Sequence, residues 1–326
     1  MPLAFTSTMI PSDRLRGVLP PVLLPMTPDA EVDSVSLSRL VSFLLDGGVH
    51  GLWVNGTTGE FYGLEGELRA RVVQEFVTAV DGRVPVIAHV GDTSTRLAVQ
   101  HARAAVTAGA ALLSVLPPYL VGFTQGELKG HVRAVADAVQ QPVLAYNLPQ
   151  FAPVGLSIDS IVELAAEGVL CGAKDSSSDM VWFRQLARGL REAGAPMALL
   201  TGGSSVADVG YMLGAVGSVS SLANLTPRHL VRQYEAAREQ DWARVLTLQE
   251  QSETLISLLR PPGVDVTPGL TMAAYKHLLA AVGVIDADVA AAPQSPLSPE
   301  ARQHLTEHAL PLMRALEKDT DTAVAV

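Results

Sequence analysis

The feature that most constrains the fold is a series of eight short apolar segments, each followed by a segment with helical periodicity. The apolar segments do not alternate with polar residues, which is typical of strands buried on both faces of a parallel sheet. Eight strand–helix units in about 220 residues predict an α/β fold, a closed (β/α)8 TIM barrel, with an open doubly wound sheet as the alternative. The predicted strands are Val18–Pro25, Gly51–Asn55, Pro85–Val90, Ala111–Leu116, Pro142–Asn147, Val169–Lys174, Ala198–Gly202 and Val216–Ser220.

The segments between these strands carry apolar residues three and four positions apart, which predicts helices. Beyond residue 240 the strand-like segments cease and only helical patterns continue. We therefore expect a barrel domain over residues 1–240 and a C-terminal helical appendix over residues 241–326. The predicted helices are Ser36–Asp46, Glu65–Val80, Arg96–Ala108, Gln125–Val139, Ile158–Glu167, Asp179–Ala193, Ser205–Leu213, Thr226–Glu239, Asp241–Leu259, Pro268–Val282 and Pro299–Leu316.

The composition narrows the classes of function. Apolar residues make up 48% of the chain and charged residues 17%, which indicates a large core and excludes general disorder. The chain has 33 acidic and 23 basic residues, a net charge of −10, and no basic stripe, so we expect no nucleic-acid partner. The single Cys171 excludes an internal disulfide and a cysteine-based metal site, which favours a cytoplasmic protein.

Membrane and targeting signals are not expected in this sequence. No uncharged apolar run reaches the roughly 18 residues that a membrane-spanning helix needs. Residues 1–17 do not show a basic start followed by an apolar stretch, so we expect no signal peptide. Residues 318–326, at the end of the sequence, are expected to fray.

The ends of the predicted strands are where a barrel enzyme places its reactive groups. The sixth strand ends at Lys174, and burial disfavours the charged form of a lysine, so its amine could attack a ketone to form a Schiff base. The alternative is a lysine that reaches solvent or pairs with Asp175, although neighbouring strand residues face opposite sides. The fifth strand carries Tyr146, either a proton shuttle or an ordinary aromatic residue of the rim.

Small residues follow three other strands. Gly56-Thr57-Thr58-Gly59 predicts a tight turn whose backbone N–H groups suit a carboxylate, with a plain structural turn as the alternative. The seventh strand ends in Thr201-Gly202-Gly203-Ser204 and the eighth in Gly217-Ser218-Val219-Ser220. The small residues there leave room for a ligand or simply make short loops.

The histidines give no predicted metal site. His304 and His308 lie four residues apart on one helix, but no third ligand accompanies them. His89 ends the third strand, where we expect a packed or hydrogen-bonded ring. We therefore predict no metal ligand in the chain.

Four segments at strand ends together resemble the dihydrodipicolinate synthase / N-acetylneuraminate lyase family of class I, pyruvate-dependent aldolases. The resemblance spans residues 16–316. The segments that carry it are Gly56-Thr-Thr-Gly-Glu60, Tyr146-Asn-Leu-Pro149, Gly172-Ala-Lys-Asp175 and Gly214-Ala-Val-Gly-Ser-Val-Ser-Ser-Leu-Ala-Asn-Leu225.

The resemblance implies a role for each matching residue. Lys174 would form the Schiff base with the keto carbon of pyruvate or another 2-oxo acid, and Tyr146 would shuttle the proton. Thr57 and Thr58 would hold the carboxylate through backbone N–H groups, with the Thr58 hydroxyl in the proton relay. Val219 would contribute a backbone carbonyl near the site. No metal or organic cofactor is implied.

Departures from the family patterns bear on the substrate. Dihydrodipicolinate synthases carry an arginine where this chain has Phe151, and a second tyrosine, lent by a neighbouring subunit, where it has Leu120 after Tyr119. Sialic acid lyases carry an acidic pair where this chain has Gly202-Gly-Ser-Ser205. These departures disfavour both named activities. The segments Gly59-Glu-Phe61 and Lys174-Asp-Ser-Ser177 instead resemble 2-keto-3-deoxy sugar-acid aldolases and dehydratases, or 4-hydroxy-2-oxoglutarate-type aldolases.

We therefore expect a Schiff-base lyase that cleaves or forms a 2-keto-3-deoxy sugar acid or a 4-hydroxy-2-oxo acid, with pyruvate and an aldehyde as components. The alternatives are a dihydrodipicolinate synthase, a sugar-acid dehydratase that uses the same lysine imine, and a non-catalytic barrel that senses a 2-oxo acid. The resemblance also implies a homodimer or homotetramer with a dimer contact near Pro117–Val121.

Overall fold

The computed structural model describes residues 15–195, 197–265 and 267–318. The first 14 residues, most of the segment read for a signal peptide, lie outside the described residues, as do residues 319–326, nearly all of the tail expected to fray. Eight parallel strands form one sheet and confirm the predicted barrel. The strands are β1 (Gly17–Val18), β2 (Leu52–Val54), β3 (Val86–His89), β4 (Leu112–Val115), β5 (Val143–Asn147), β6 (Leu170–Asp175), β7 (Ala198–Thr201) and β8 (Gly217–Ser218).

Helices alternate with these strands and continue beyond the last of them. Their bounds lie within two residues of the predicted ones over most of the chain. They are α1 (Ser34–Asp46), α2 (Gly66–Val80), α3 (Thr95–Thr107), α4 (Gln125–Val139), α5 (Ile158–Ala166), α6 (Met180–Glu192), α7 (Ala207–Met212), α8 (Pro227–Arg238), α9 (Trp242–Leu258), α10 (Pro268–Ala281), α11 (Pro299–His304) and α12 (Leu310–Leu316).

The sheet closes on itself between β1 and β2. On one side, β1 pairs with β8 through Gly17 and Gly217, and a side chain on Gly217 would collide with the backbone of Gly17. On the other side, the backbone of Trp53 donates to Pro20 O at 2.9 Å and accepts from Val22 N at 2.9 Å. The backbone is therefore hydrogen-bonded around the whole circumference, as a barrel requires.

Several predicted elements differ from the structure, including the eighth strand, predicted at Val216–Ser220 and regular only over Gly217–Ser218. The first predicted strand, Val18–Pro25, is regular only over Gly17–Val18, because the prolines that follow lack the N–H that a sheet ladder needs. The last predicted helix, Pro299–Leu316, is interrupted by a wider π-helical turn at Leu305–Ala309. Pro311 follows this turn and cannot donate to the carbonyl four residues earlier, so a regular helix is disfavoured there.

Apolar side chains fill the interior of the barrel below the mouth. Leu144 and Leu200 lie in this inner layer with Trp53 and Val219. Side chains two residues apart on a strand share a face, so Tyr146 lies directly above Leu144. A larger apolar layer between the strands and the helices surrounds the barrel and extends into the C-terminal helices. The inner layer therefore packs beneath the side chains at the mouth of the barrel.

The C-terminal helices pack on the barrel, and a buried ion pair links them to its mouth. Lys276 of α10 pairs with Glu60, which follows the Thr57–Gly59 turn after β2, and both side chains are fully buried. The division at residue 240 stays a prediction. No helix of the described residues combines the length and apolar character of a membrane span.

Candidate active site

The centre of the site is formed by two side chains on neighbouring strands. Tyr146 of β5 and Lys174 of β6 are paired in register, so both point to the interior of the barrel. The Lys174 nitrogen lies 4.1 Å from the centroid of the Tyr146 ring and 5.1 Å from that of Trp53. Lys174 is 3% exposed and Tyr146 is 4% exposed, so both are buried. The structure thus brings together the two residues that the sequence placed at neighbouring strand ends.

The Lys174 amine has no hydrogen bond or ion pair with any described residue, and its polar neighbour is committed elsewhere. Asp175, the alternative partner, accepts from the side-chain amide of Asn147 at 2.8 Å and from the Ser177 hydroxyl at 3.0 Å. Burial raises the pKa of the Asp175 carboxyl, and these hydrogen bonds oppose that shift. Aromatic faces are therefore the main neighbours of the amine, and its nitrogen remains available.

Glycine at position 202 makes room for the lysine. A Cβ at Gly202 would lie 2.9 Å from Cε of Lys174 and 3.0 Å from the carbonyl oxygen of Asp175, and it would collide with the Ser176 hydroxyl. Real Cβ atoms do not approach other atoms this closely without displacing them. The sequence left Gly202 as either room for a ligand or part of a short loop. The structure adds that the absence of a side chain at this position leaves space for Lys174.

The turn after β2 places two threonines near the mouth. Thr57–Gly59 forms a short 3₁₀ turn after the extended Gly56, whose carbonyl accepts from Gly59 N at 3.0 Å. The first N–H groups of such a turn have no partner within it, so they are free to face a carboxylate. The relay that the resemblance implies is not formed within the described residues, because the hydroxyls of Thr58 and Tyr146 are not hydrogen-bonded to each other.

Val219, the remaining predicted site residue, and His89 are both packed among other side chains. Val219 lies in the inner apolar layer, and its N–H donates to Thr201 O at 2.7 Å. His89 is buried, with Nδ1 3.3 Å from the Ser114 hydroxyl and its ring centroid 5.7 Å from that of Tyr146. Burial and the charges of Arg69 and Lys174 hold the pKa of His89 well below its usual range. This ring is therefore a neutral wall of the site.

A cavity of about 810 Å³ lies next to side chains that pack against Tyr146. Its inner wall includes Leu116 and Leu148, which pack in one cluster with Tyr146, and Thr57 of the turn after β2. Phe61 and Phe151 line the cavity as well. By contrast, Leu120 is not among the described residues that line the cavity, and it is 81% exposed.

Sequence reasoning missed two contributors to this region. The outer wall of the cavity comes from residues 264–265, 267–270, 293–298 and 301 of the C-terminal part, whose packing on the mouth has no local signal. The Glu60–Lys276 pair was also missed, although a lysine among the apolar residues of α10 was a usable signal. No group of three or more His, Cys, Asp or Glu side chains in the described parts of the chain is arranged to hold a metal ion.

Comparison with protein families gives one match over most of the chain. The model of the dihydrodipicolinate synthetase family matches residues 14–310. A 4-hydroxy-tetrahydrodipicolinate synthase of Phenylobacterium zucineum is 38% identical over 266 residues, which are 81% of this chain and 87% of that protein. An N-acetylneuraminate lyase of Citrobacter koseri is 32% identical over 251 residues, 77% of this chain and 83% of that one.

Solved structures show the same similarity. A dihydrodipicolinate synthase from Acinetobacter baumannii, complexed with pyruvate, has a TM-score of 0.82 and 30% identity and covers 92% of this chain and 99% of its own. YagE, a prophage protein from E. coli K12 in complex with pyruvate, has a TM-score of 0.84 and 26% identity and covers 93% and 98%.

Proposed function

Because the chain belongs to the dihydrodipicolinate synthetase family and is a class I aldolase or lyase, we propose that it acts on a 2-oxo acid through an imine at Lys174. The observation that carries this proposal is the position of the Lys174 amine, which lies buried over the Tyr146 ring without a hydrogen bond or ion pair to any described residue. A structural lysine needs a partner for its charge, whereas a nucleophilic lysine needs an available nitrogen.

The proposed reaction is aldol cleavage or its reverse. The Lys174 nitrogen attacks the keto carbon, and loss of water leaves a protonated imine. This imine accepts the electron pair of the breaking C3–C4 bond, so the products are an enamine and an aldehyde. Protonation of the enamine and hydrolysis of the imine release pyruvate and restore the amine. We assign the proton transfers to the Tyr146 hydroxyl, assisted by Thr58 after substrate binds.

The other predicted residues take supporting roles in this proposal. The backbone N–H groups of Thr57 and Thr58 hold the substrate carboxylate, and Gly56 allows the turn that presents them. Gly202 keeps the path of the Lys174 side chain open, and the Val219 carbonyl borders the site. The substrate is a 2-keto-3-deoxy sugar acid or a 4-hydroxy-2-oxo acid.

A second candidate is dihydrodipicolinate synthase, which the similarity to the Phenylobacterium protein favours. Phe151 stands where the resemblance expects an arginine for the second substrate, and it lines the cavity with an apolar ring. We therefore place this candidate second. Pyruvate condensation with aspartate semialdehyde at a rate comparable to that with other aldehydes would reverse the order. A dehydratase would instead release water and no pyruvate.

Reductive trapping tests the imine. Borohydride added with labelled pyruvate should attach the label irreversibly to the wild-type chain and not to the Lys174→Ala variant. The Tyr146→Phe variant keeps the aromatic ring beside the amine, so trapping should persist while turnover falls by about 10²–10⁴-fold for loss of a proton shuttle. Failure of the wild-type chain to retain label would contradict the proposal.

We further propose a cytoplasmic homodimer or homotetramer. Leu120 and Val121 are adjacent, apolar and 81% and 54% exposed, which suits a surface covered by another copy of the chain. Because Leu120 lacks a hydroxyl, such a contact would not complete a proton relay across it. Light scattering should give the mass of two or four chains, and a monomer would contradict this assignment.

A further inference from the structure

We infer that the aldehyde handled with pyruvate carries a bulky apolar substituent, such as an aryl group or a branched alkyl group. The substrate would then be a 4-hydroxy-2-oxo acid with that substituent on C4. This inference rests on the proposed imine at Lys174 and concerns the cavity next to the side chains that pack against Tyr146.

The position of the cavity fixes which part of the substrate occupies it. Thr57, which lines the cavity, belongs to the turn proposed to hold the carboxylate, and Leu116 and Leu148, which also line it, pack in one cluster with Tyr146. A substrate whose keto carbon reaches Lys174 would therefore extend its C4 substituent outward, past Tyr146, into the cavity. The volume of about 810 Å³ accommodates a substituent larger than a single ring.

The walls of the cavity are mainly aromatic and aliphatic. Phe61, Tyr119 and Phe151 come from the barrel side, and Leu270 and Leu297 come from the C-terminal side. The Phe61 and Tyr119 rings meet edge to face, with centroids 6.2 Å apart. Such walls gain free energy by removing an apolar substituent from water, whereas they offer a chain of hydroxyl groups no replacement for its water.

Several polar side chains on the wall already have partners. The hydroxyl of Thr267 accepts from Leu270 N at 3.1 Å, and the hydroxyl of Ser298 accepts from Ala301 N at 3.2 Å, so each caps a helix. The Gln294 amide donates to the Tyr62 hydroxyl. The Gln294 side-chain oxygen has no partner among the described residues. This oxygen is buried and lies against Gly269, so it offers the ligand no hydrogen bond.

The charges around the cavity disfavour an anionic aldehyde. Among the described residues that line it, Asp265 is the one with a formal charge. Arg69 lies nearby, with its guanidinium carbon 5.0 Å from the centroid of the Phe61 ring. It is only 4% exposed, however, and its guanidinium pairs with the Asp92 carboxylate at 3.1 Å. Its NH2 group also donates to the carbonyl oxygens of His89 and Gly91. A second carboxylate in the cavity would therefore find no available cation.

The condensation needs no reactant other than pyruvate and the aldehyde. In condensation, C3 of the enamine forms a bond to the aldehyde carbon, and the aldehyde oxygen takes a proton to become the C4 hydroxyl. Water then hydrolyses the imine and replaces the molecule of water lost when it formed. Cleavage is the same sequence in reverse.

A matched pair of aldehydes tests the inference on the full-length chain. Pyruvate is supplied with benzaldehyde or with 4-carboxybenzaldehyde, which differ only in the anionic group, and with glyceraldehyde as the polar reference. We expect kcat/KM for benzaldehyde to exceed that for either other aldehyde by at least ten-fold. Equal values, a preference for glyceraldehyde or 4-carboxybenzaldehyde, or no turnover of benzaldehyde would overturn the inference.

Two arginine variants test whether the selectivity between aldehydes arises at the cavity wall. Phe151→Arg places a cation on the cavity wall and should reduce the preference for benzaldehyde over 4-carboxybenzaldehyde by at least five-fold. Leu246→Arg, at an exposed apolar residue of α9 away from the cavity, should leave the ratio unchanged. An equal response to both variants would overturn the inference.

Borohydride trapping with pyruvate alone separates the two proposals. Trapping at Lys174 without preference for benzaldehyde overturns the inference and retains the proposed function. Absence of trapping overturns both.

Discussion

Two buried lysines in this molecule have opposite surroundings. Lys276 is fully buried, pairs with the Glu60 carboxylate and donates to Val289 O at 2.7 Å. Lys174 is 3% exposed and lies over the rings of Tyr146 and Trp53, without a hydrogen bond or ion pair to any described residue. Burial lowers the pKa of Lys276, and the Glu60 charge opposes that shift.

The difference shows that burial alone does not identify a reactive lysine. The Lys276 nitrogen is held by a carboxylate and a carbonyl, so it stabilises the contact between the C-terminal helices and the turn after β2. Glu60 is committed to the same contact, since its other oxygen accepts from Ala291 N at 2.5 Å. The Lys174 nitrogen has no such partner among the described residues. Reactivity in the proposed mechanism therefore follows from the absence of such partners.

Replacing each lysine by methionine should have opposite consequences. Lys276→Met leaves Glu60 buried without its cation, which costs about 3–5 kcal/mol of unfolding free energy. Lys174→Met removes the amine and should abolish turnover while changing the stability by less than about 1 kcal/mol, because no ion pair is broken. Denaturant unfolding and pyruvate release measure the two effects.

The double variant Glu60→Gln/Lys276→Met serves as the control for this comparison. It removes both charges and keeps a side-chain oxygen for Ala291 N, so it should recover part of the stability lost in Lys276→Met. A double variant less stable than the single variant would contradict the assignment of Glu60 as the partner.

The space around Lys174 can be tested at neighbouring glycines. Gly202→Ala places a methyl group against Cε of Lys174 and should lower the rate of pyruvate trapping by about 10–100-fold through misplacement of the amine. Gly203→Ala is the matched control, because its Cβ would meet Ser178 and Val206 at 2.7 and 2.8 Å instead. Equal trapping rates in the two variants would show that crowding at position 202 does not reach the amine.

The smallest expected effect is on His89, which reports charge near the site. The positive charge of Lys174 contributes to the lowered pKa of His89, after burial and Arg69, so Lys174→Met should raise that pKa. Titration of the ring by NMR measures the shift, with Lys276→Met as the comparison. A pKa of His89 that is lower in Lys174→Met than in the wild-type chain would contradict the placement of the amine.

The same histidine predicts how stability depends on pH. The unfolded chain binds a proton at His89 from about pH 6.5 downward, whereas the folded chain does not until a much lower pH. The unfolded state therefore gains protons relative to the folded state as the pH falls below 6.5, and the free energy of unfolding should decrease. Thermal unfolding at pH 7 and pH 5 measures this change, and a Tm higher at pH 5 would be inconsistent with it.

The strands and the central pair were predictable from the sequence because their signals are local. Each strand is a short apolar segment between two helical patterns, and parallel strands in sequence order bring the residues that end them to one edge. Tyr146 and Lys174 lie next to the last residues of neighbouring strands, so their proximity followed from the fold class. Gly202 was identified as well, although the reason for it, contact with the Lys174 side chain, required the coordinates.

The surroundings of that pair were not predictable, because they depend on contacts between distant parts of the chain. The Glu60–Lys276 pair joins the turn after β2 to α10. The outer wall of the cavity is likewise formed by residues 264–265, 267–270, 293–298 and 301. Leu120 stands where the resemblance places a tyrosine lent by a neighbouring subunit; its backbone has a φ of 97° and it is 81% exposed. Neither the composition of the chain nor the periodicity of its apolar residues predicts these contacts.

Identification of the trapped lysine by peptide mass spectrometry tests the central claim most directly. The chain contains four lysines, Lys129, Lys174, Lys276 and Lys318, so each can be assigned to its own peptide after reduction with borohydride in the presence of pyruvate. The account predicts a pyruvate-derived mass on the peptide that contains Lys174 and unmodified Lys276 in the same sample. A modified Lys276, or an unmodified Lys174 under conditions of turnover, would contradict it.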